Sequence, residues 1–173
     1  MLAQEHIEGK KRFVVGLADL MVSQDPAMVL CTFPLGACLG VAIYDPTTKV
    51  AGILHSMLPD STIDPKRAAA RPGMFLDTGL DRLLQHAGDL KAKKENLRVF
   101  VAGAGEIMDE TTCFNIGKRN YAVLAGLLGK HGLKIAAEDV GGLTNRSMQL
   151  DVATGEVRLK FSGEAKMRTL CKP

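Results

Sequence analysis

The chain has 173 residues, 46% of them hydrophobic and 24% charged, with a formal net charge of +3. That length suits one domain with a sizeable core, and the composition is ordinary for a globular protein. The small charge, the absence of tryptophan and the lack of Lys/Arg runs interleaved with aromatics argue against nucleic acid as a partner.

Apolar runs are broken by Gly, Pro or charge well before membrane-spanning length, so no membrane insertion is expected. The N-terminus, Met1-Leu-Ala-Gln-Glu-His-Ile-Glu-Gly, has no basic segment followed by an apolar core and does not read as a signal peptide. A cytoplasmic, reducing location is the expectation. Cys31, Cys38, Cys113 and Cys171 show no Cys-x-x-Cys spacing, which fits neither a disulfide framework nor a zinc site. No metal or cofactor is expected.

In chain order, Phe13 to Asp19 reads as a first strand, Ser23-Gln-Asp-Pro26 as a turn, and Met28 to Thr32 as a second strand. Next comes an apolar stretch from Pro34 to Pro59, divided by the turn signal Asp45-Pro46-Thr47-Thr48. Residues 60–72 are polar, with two prolines and Lys66-Arg67, and read as a mobile loop, either a solvated connection or a lid. Leu76, Leu80, Leu83, Leu84, Ala87 and Leu90 give one apolar face to a helix over 74–91, with His86 at its surface.

Leu97 to Ala102 reads as a strand ending at Gly103-Ala-Gly105. Met108 holds the place of a third glycine, so a tight turn near the site is a better account than a dinucleotide loop. Asn115 is placed to cap a helix over 116–130, with Gly132 beyond its end. Lys118 and Arg119 oppose that helix's dipole, which fits a solvated basic face or an acidic partner. A strand over 133–140, a hairpin over 147–161 about Thr154-Gly155, and a tail over 162–173 complete the chain. Helices lying between strands predict a single-domain, layered α/β sandwich with a mixed sheet, its core over about 13–161.

The chemistry concentrates between Thr32 and His55. A two-residue hairpin turn at Pro46-Thr47 places Cys38 directly opposite His55, on the same face. Alternatively, residues 38–44 form helical turns with Cys38 at their N-terminus, where the dipole lowers a thiol pKa. Either arrangement favours a reactive Cys38 with His55 as its acid–base partner. Gly36 and Gly40 bracket Cys38 and leave room for a substrate to approach the backbone; N–H groups around Gly36 and Ala37 are placed to hold an oxyanion. The competing account is a small buried cysteine beside a satisfied core histidine.

Several motifs carry a resemblance. Thr32-Phe-Pro-Leu-Gly-Ala-Cys38, Tyr44-Asp-Pro46 and Gly52-Ile-Leu-His55-Ser-Met-Leu-Pro59 resemble the CheD family of chemoreceptor glutamine deamidases. The likeness continues through Ala102-Gly-Ala-Gly105, Asn115-Ile-Gly-Lys-Arg-Asn120 and Ala137-Glu-Asp-Val-Gly-Gly142. It implies a three-layer α/β fold and a catalytic set of Cys38, His55 and Thr32. It also implies hydrolysis of glutamine side chains on methyl-accepting chemotaxis receptors, and a CheC-like phosphatase as a further partner. Methylesterase activity on the same side chains, or a docking module with little catalysis, are the other functions it admits. The family usually has serine before the cysteine, where this chain has Ala37.

Overall fold

The computed structural model describes residues 6–7, 9–106 and 115–171. Two mixed β-sheets stack face to face, and helices cover the outer face of one of them. The first sheet contains β1 (His6–Ile7), β2 (Lys10–Val15) and β4 (Met28–Leu35), continued by β9 (Arg146–Asp151), β10 (Val157–Phe161) and β11 (Arg168–Cys171). The second runs β3 (Asp19–Ser23), β6 (Val50–Ser56), β5 (Leu39–Asp45), β7 (Arg98–Gly103), β8 (Ile135–Val140). One pair in each sheet is parallel, β2 with β4 and β7 with β8. The α/β class and the layering agree with the sequence; the layers comprise two mixed sheets, not the single one expected.

The period-2 alternation of β5 and β6 explains the stacking. Val41, Ile43 and Leu54 face the helices, where they join Leu80 and Leu83 of α2 (Leu76–Asp89) and Leu124 and Leu128 of α3 (Ile116–His131). Ala42, Tyr44, Ala51 and Ile53 face the first sheet and meet Val15, Leu30, Met148 and Leu150. The second sheet is therefore buried on both faces, which is why β5 and β6 read as continuous apolar runs. Each of the fully buried leucines on α2 contributes about 2 kcal/mol through burial.

Other expectations change, among them the single first strand over Phe13–Asp19, which is the end of β2 and the start of β3 about a turn at residues 17–18. Residues 60–72 contain a 3₁₀ turn (Ser61–Ile63) and α1 (Pro65–Ala70), where a mobile loop was expected. Asp64 caps α1 by accepting from Arg67 N at 3.0 Å, and Pro65 supplies the fixed φ of a first helical position. Asp77 of α2 then accepts from Ser61 N and Oγ at 3.0 and 2.6 Å, so this segment is stapled to the helical layer. The presumed tail contains β11, which pairs with β10. Asn115 stands at the start of α3, but its side chain makes no capping bond. Gly132 ends α3 with φ +70, as its position suggested.

Candidate active site

The β5–β6 hairpin closes through four residues, 46–49. Asp45 accepts from Thr47 N at 2.8 Å and Thr48 N at 3.3 Å, while Lys49 N returns to the Asp45 carbonyl at 2.8 Å. The longer turn moves the register by two in the sum of paired residue numbers. His55 lies opposite Gly40, and the last rung is Leu39 with Ser56. Cys38, expected opposite His55, instead sits on the bend that leads into β5, one rung beyond the ladder. Gly40, the residue opposite His55, stands two residues along the chain from Cys38. The helical alternative for residues 38–44 does not occur.

Thr32 reaches the site from the other sheet. Its Oγ1 lies 2.7 Å from His55 Nδ1 and 2.8 Å from the Val15 carbonyl oxygen. A hydroxyl carries one proton and a carbonyl only accepts, so Thr32 donates to Val15 and accepts from Nδ1–H. That network assigns the tautomer: Nδ1 carries the proton and Nε2 keeps its lone pair. Thr32 and His55 are both fully buried. Nε2 is buried and has no hydrogen-bond partner among the described residues.

Burial sets the charge state. It pushes the Cys38 thiol up from its ordinary value, and the residue's own backbone N–H offsets only part of this. It pulls His55 down to about 4. The pair therefore rests as neutral thiol and neutral imidazole at pH 7, and the low-pKa thiol suggested by a helix N-terminus is not what this geometry gives.

The bend around Cys38 is held by its carbonyls. Gly36 O accepts from Gly105 N at 2.7 Å, Ala37 O from Asn120 Nδ2 at 3.1 Å, and Cys38 O from Ala104 N at 2.9 Å. The Gly103–Gly105 turn thus lies beside the site, as the sequence indicated. Gly103, at φ +116, is required there: a Cβ would sit 2.1 Å from the Cys38 carbonyl oxygen. The room at Gly40 is filled by Leu35, whose Cδ1 would lie 2.7 Å from a Cβ, so that glycine serves packing and does not open space for a ligand.

Two residues with no role in the sequence reading stand behind this bend. Asn120, fully buried on α3, donates to Ala37 O and to Met57 O at 3.1 and 3.0 Å. Arg146, 4% exposed, donates to the carbonyls of Gly103, Asp139 and Gly141 at 2.9, 2.9 and 2.5 Å, fastening the turn that holds Cys38. Both left a trace in the sequence. Asn120 falls on the helix stripe of Gly117, Leu124 and Leu128, and Arg146 falls in phase with inward-facing Met148 and Leu150.

Cys31 is a buried strand thiol and Cys171 lies in β11. Cys113 is outside the described residues. Lys118 pairs with Glu106 at 2.8 Å. No described helix is long and apolar enough to cross a membrane.

A family model described as CheD chemotactic sensory transduction matches residues 57–161. The chain belongs to the CheD family. Among its relatives is "Probable chemoreceptor glutamine deamidase CheD" of Solibacter usitatus, 42% identical, with 90% of this chain and 92% of the relative covered. "Probable chemoreceptor glutamine deamidase CheD 1" of Syntrophus aciditrophicus is 42% identical, covering 87% and 94%. A Pyrococcus horikoshii relative, also named a probable chemoreceptor glutamine deamidase CheD, is 35% identical over 91% of this chain and 96% of its own. The matched family segment begins two residues after His55, so the roles of Thr32, Cys38 and His55 rest on their geometry and motif.

Proposed function

We propose that this chain hydrolyses glutamine side chains of methyl-accepting chemotaxis receptors to glutamate in the cytoplasm, with Cys38 as nucleophile. The observation that carries the reading is the Thr32–His55 hydrogen bond, which leaves Nε2 as an unpartnered base among the described residues, on the strand that pairs with the one Cys38 leads into. The names of the relatives support the substrate class. As the thiol attacks the carboxamide carbon, His55 Nε2 takes its proton and a C–S bond forms. Backbone N–H groups of the Gly36–Cys38 bend hold the tetrahedral oxyanion. The C–N bond then breaks, and His55 returns the proton to the leaving ammonia. Water, giving a proton to His55, adds to the thioester; the C–S bond breaks, the thiol is re-protonated and a carboxylate remains.

A neutral threonine oxygen suits this cycle. It orients the ring without holding it charged, and the pair starts neutral, so the proton moves with the attack and not before it. Ala37 contributes its backbone carbonyl to the bend, so the absence of a serine hydroxyl there leaves these steps in place.

The test is intact-mass analysis of a co-expressed receptor fragment. Each deamidated site adds about one mass unit, since NH₂ is exchanged for OH. No mass change would overturn the reading. A CheC-like phosphatase, as a partner that covers the same face, should slow the change when added; an unaltered rate would remove it from this role.

A further inference from the structure

We propose that Asn120 is a positioning residue that aims the Cys38 backbone N–H as an oxyanion donor, an inference that rests on Cys38 being the nucleophile. Phe33-Pro34 is the only cis peptide in the described chain, so the Ala37–Cys38 peptide is trans. In a trans peptide the carbonyl of one residue and the N–H of the next point in opposite directions. Whatever holds the Ala37 carbonyl therefore sets where the Cys38 N–H points.

That holder is Asn120. Both protons of its Nδ2 are used, one on Ala37 O at 3.1 Å and one on Met57 O at 3.0 Å. Flipping the amide would set Oδ1 against two carbonyl oxygens, so its orientation is fixed by the network. The position of the bond is telling. The β5–β6 ladder ends at Leu39 with Ser56, and the next rung would join Cys38 to Met57. There the strands are bridged by the carboxamide of Asn120, which stands in for the missing rung.

Gly36 O and Cys38 O are held by the main chain of Gly105 and Ala104, so of three successive carbonyls only that of Ala37 depends on a side chain. The Cys38 N–H lies beside its own sulfur, where the oxygen of a carbon bonded to Sγ develops its charge. Asn120 Oδ1, buried, has no partner among the described residues. The side chain is thus held at this point by its two donor bonds alone.

The experiment compares deamidation of the receptor fragment with alkylation of Cys38 by iodoacetamide, read by mass spectrometry. Displacement at a saturated carbon makes no oxyanion, so the two reactions separate the donor from the nucleophile. Asn120→Ala should lower kcat roughly 10²-fold, as loss of one oxyanion donor does, with KM within about twofold. Its alkylation rate should stay within about twofold of wild type, because the Gly36 and Cys38 carbonyls keep their bonds to Gly105 N and Ala104 N and hold the thiol in place.

A kcat near wild type overturns the proposal. So does a parallel fall in both reactions, which would mean that Asn120 merely holds the loop. Should Asn120→Ala fail to melt cooperatively, Asn120→Ser is measured in the same way, and loss of the fold in both assigns a structural role instead. Cys38→Ala, run alongside, keeps the two readings apart. Activity in that variant removes the nucleophile itself, whereas an inactive Cys38→Ala beside an unimpaired Asn120→Ala removes only the aiming.

Discussion

The two halves of the site are built in opposite ways. His55 stands in the middle layer of the molecule, in a regular strand paired on both sides, and one side-chain hydrogen bond fixes its ring. Cys38 stands on a bend just outside that ladder, half-buried, and is placed by carbonyl bonds to a turn after β7 and to α3. The proposed base is positioned by sheet register, which a one-residue slip would turn to the wrong face. The proposed nucleophile is positioned by contacts from elements far apart in sequence. The proposed pair thus has one partner in the buried core and another half-exposed at its edge.

Removing each half in turn should have the largest effects. Cys38→Ala should abolish deamidation, with a loss on the order of 10⁴-fold or more, and leave the melting temperature close to wild type. His55→Ala should lower the rate by roughly 10²–10⁴-fold and also destabilise the fold by about 2 kcal/mol. It leaves a cavity between the sheets and deprives the Thr32 hydroxyl of its ring partner. Rates on a receptor fragment and urea unfolding of both variants decide this. Substantial activity in Cys38→Ala would sink the mechanism, and an undiminished stability in His55→Ala would show that the histidine half is not part of the core.

How much of this could be read from the chain follows the same division. The histidine half was legible because β-branched residues mark the apolar runs of β5 and β6 and a turn signal at residues 45–48 divides them. The register was missed by two because a turn of four residues, closed by the Asp45 carboxylate, has the same local signature as a turn of two. The supports of the cysteine half were not legible, since Asn120 binds the Ala37 carbonyl across 83 residues and Arg146 the Gly103 carbonyl across 43, and no local pattern encodes a contact of that range. The helical character of residues 61–70 was written in Asp64-Pro65, an N-cap followed by a first-turn proline, but polarity and the two prolines outweighed it. The second sheet was hidden because strand pairing order cannot be derived from strand count.

The pH dependence of stability sharpens the histidine half alone. His55 is held at about 4 in the fold, against about 6.5 for a free imidazole. Between those values the unfolded chain binds a proton that the folded chain refuses, so stability rises with pH across this window. The contribution is complete above about pH 6.5 and is lost as pH falls toward 4, amounting to roughly 3 kcal/mol over the whole range. Urea unfolding at pH 4.5 and pH 7 should show this difference in wild type, and His55→Gln, which cannot titrate, should lose most of it. An equal slope in both proteins would show that His55 is not held neutral by burial.

The finest distinction lies in Thr32, the contact through which the first sheet holds the proposed base on the second. Its hydroxyl accepts from Nδ1–H and donates to Val15, so it both fixes the tautomer and holds the ring angle. Thr32→Ser keeps both bonds and loses a methyl group, and its rate should stay within a few-fold of wild type. Thr32→Ala removes both bonds and should lower the rate by about ten- to a hundredfold, at or below the lower end of the range for a positioned acid–base group. Thr32→Val keeps the shape and β propensity of threonine and leaves Nδ1–H facing a methyl group. If the hydroxyl orients the ring, Thr32→Val should be as slow as Thr32→Ala. If the residue serves only as a strand residue packed between the sheets, Thr32→Val should match wild type while Thr32→Ala falls through loss of packing. Rates for the three variants, with thermal melts to separate unfolding from misorientation, distinguish these outcomes. A wild-type rate in Thr32→Val would take Thr32 off the list of residues that shape the reaction.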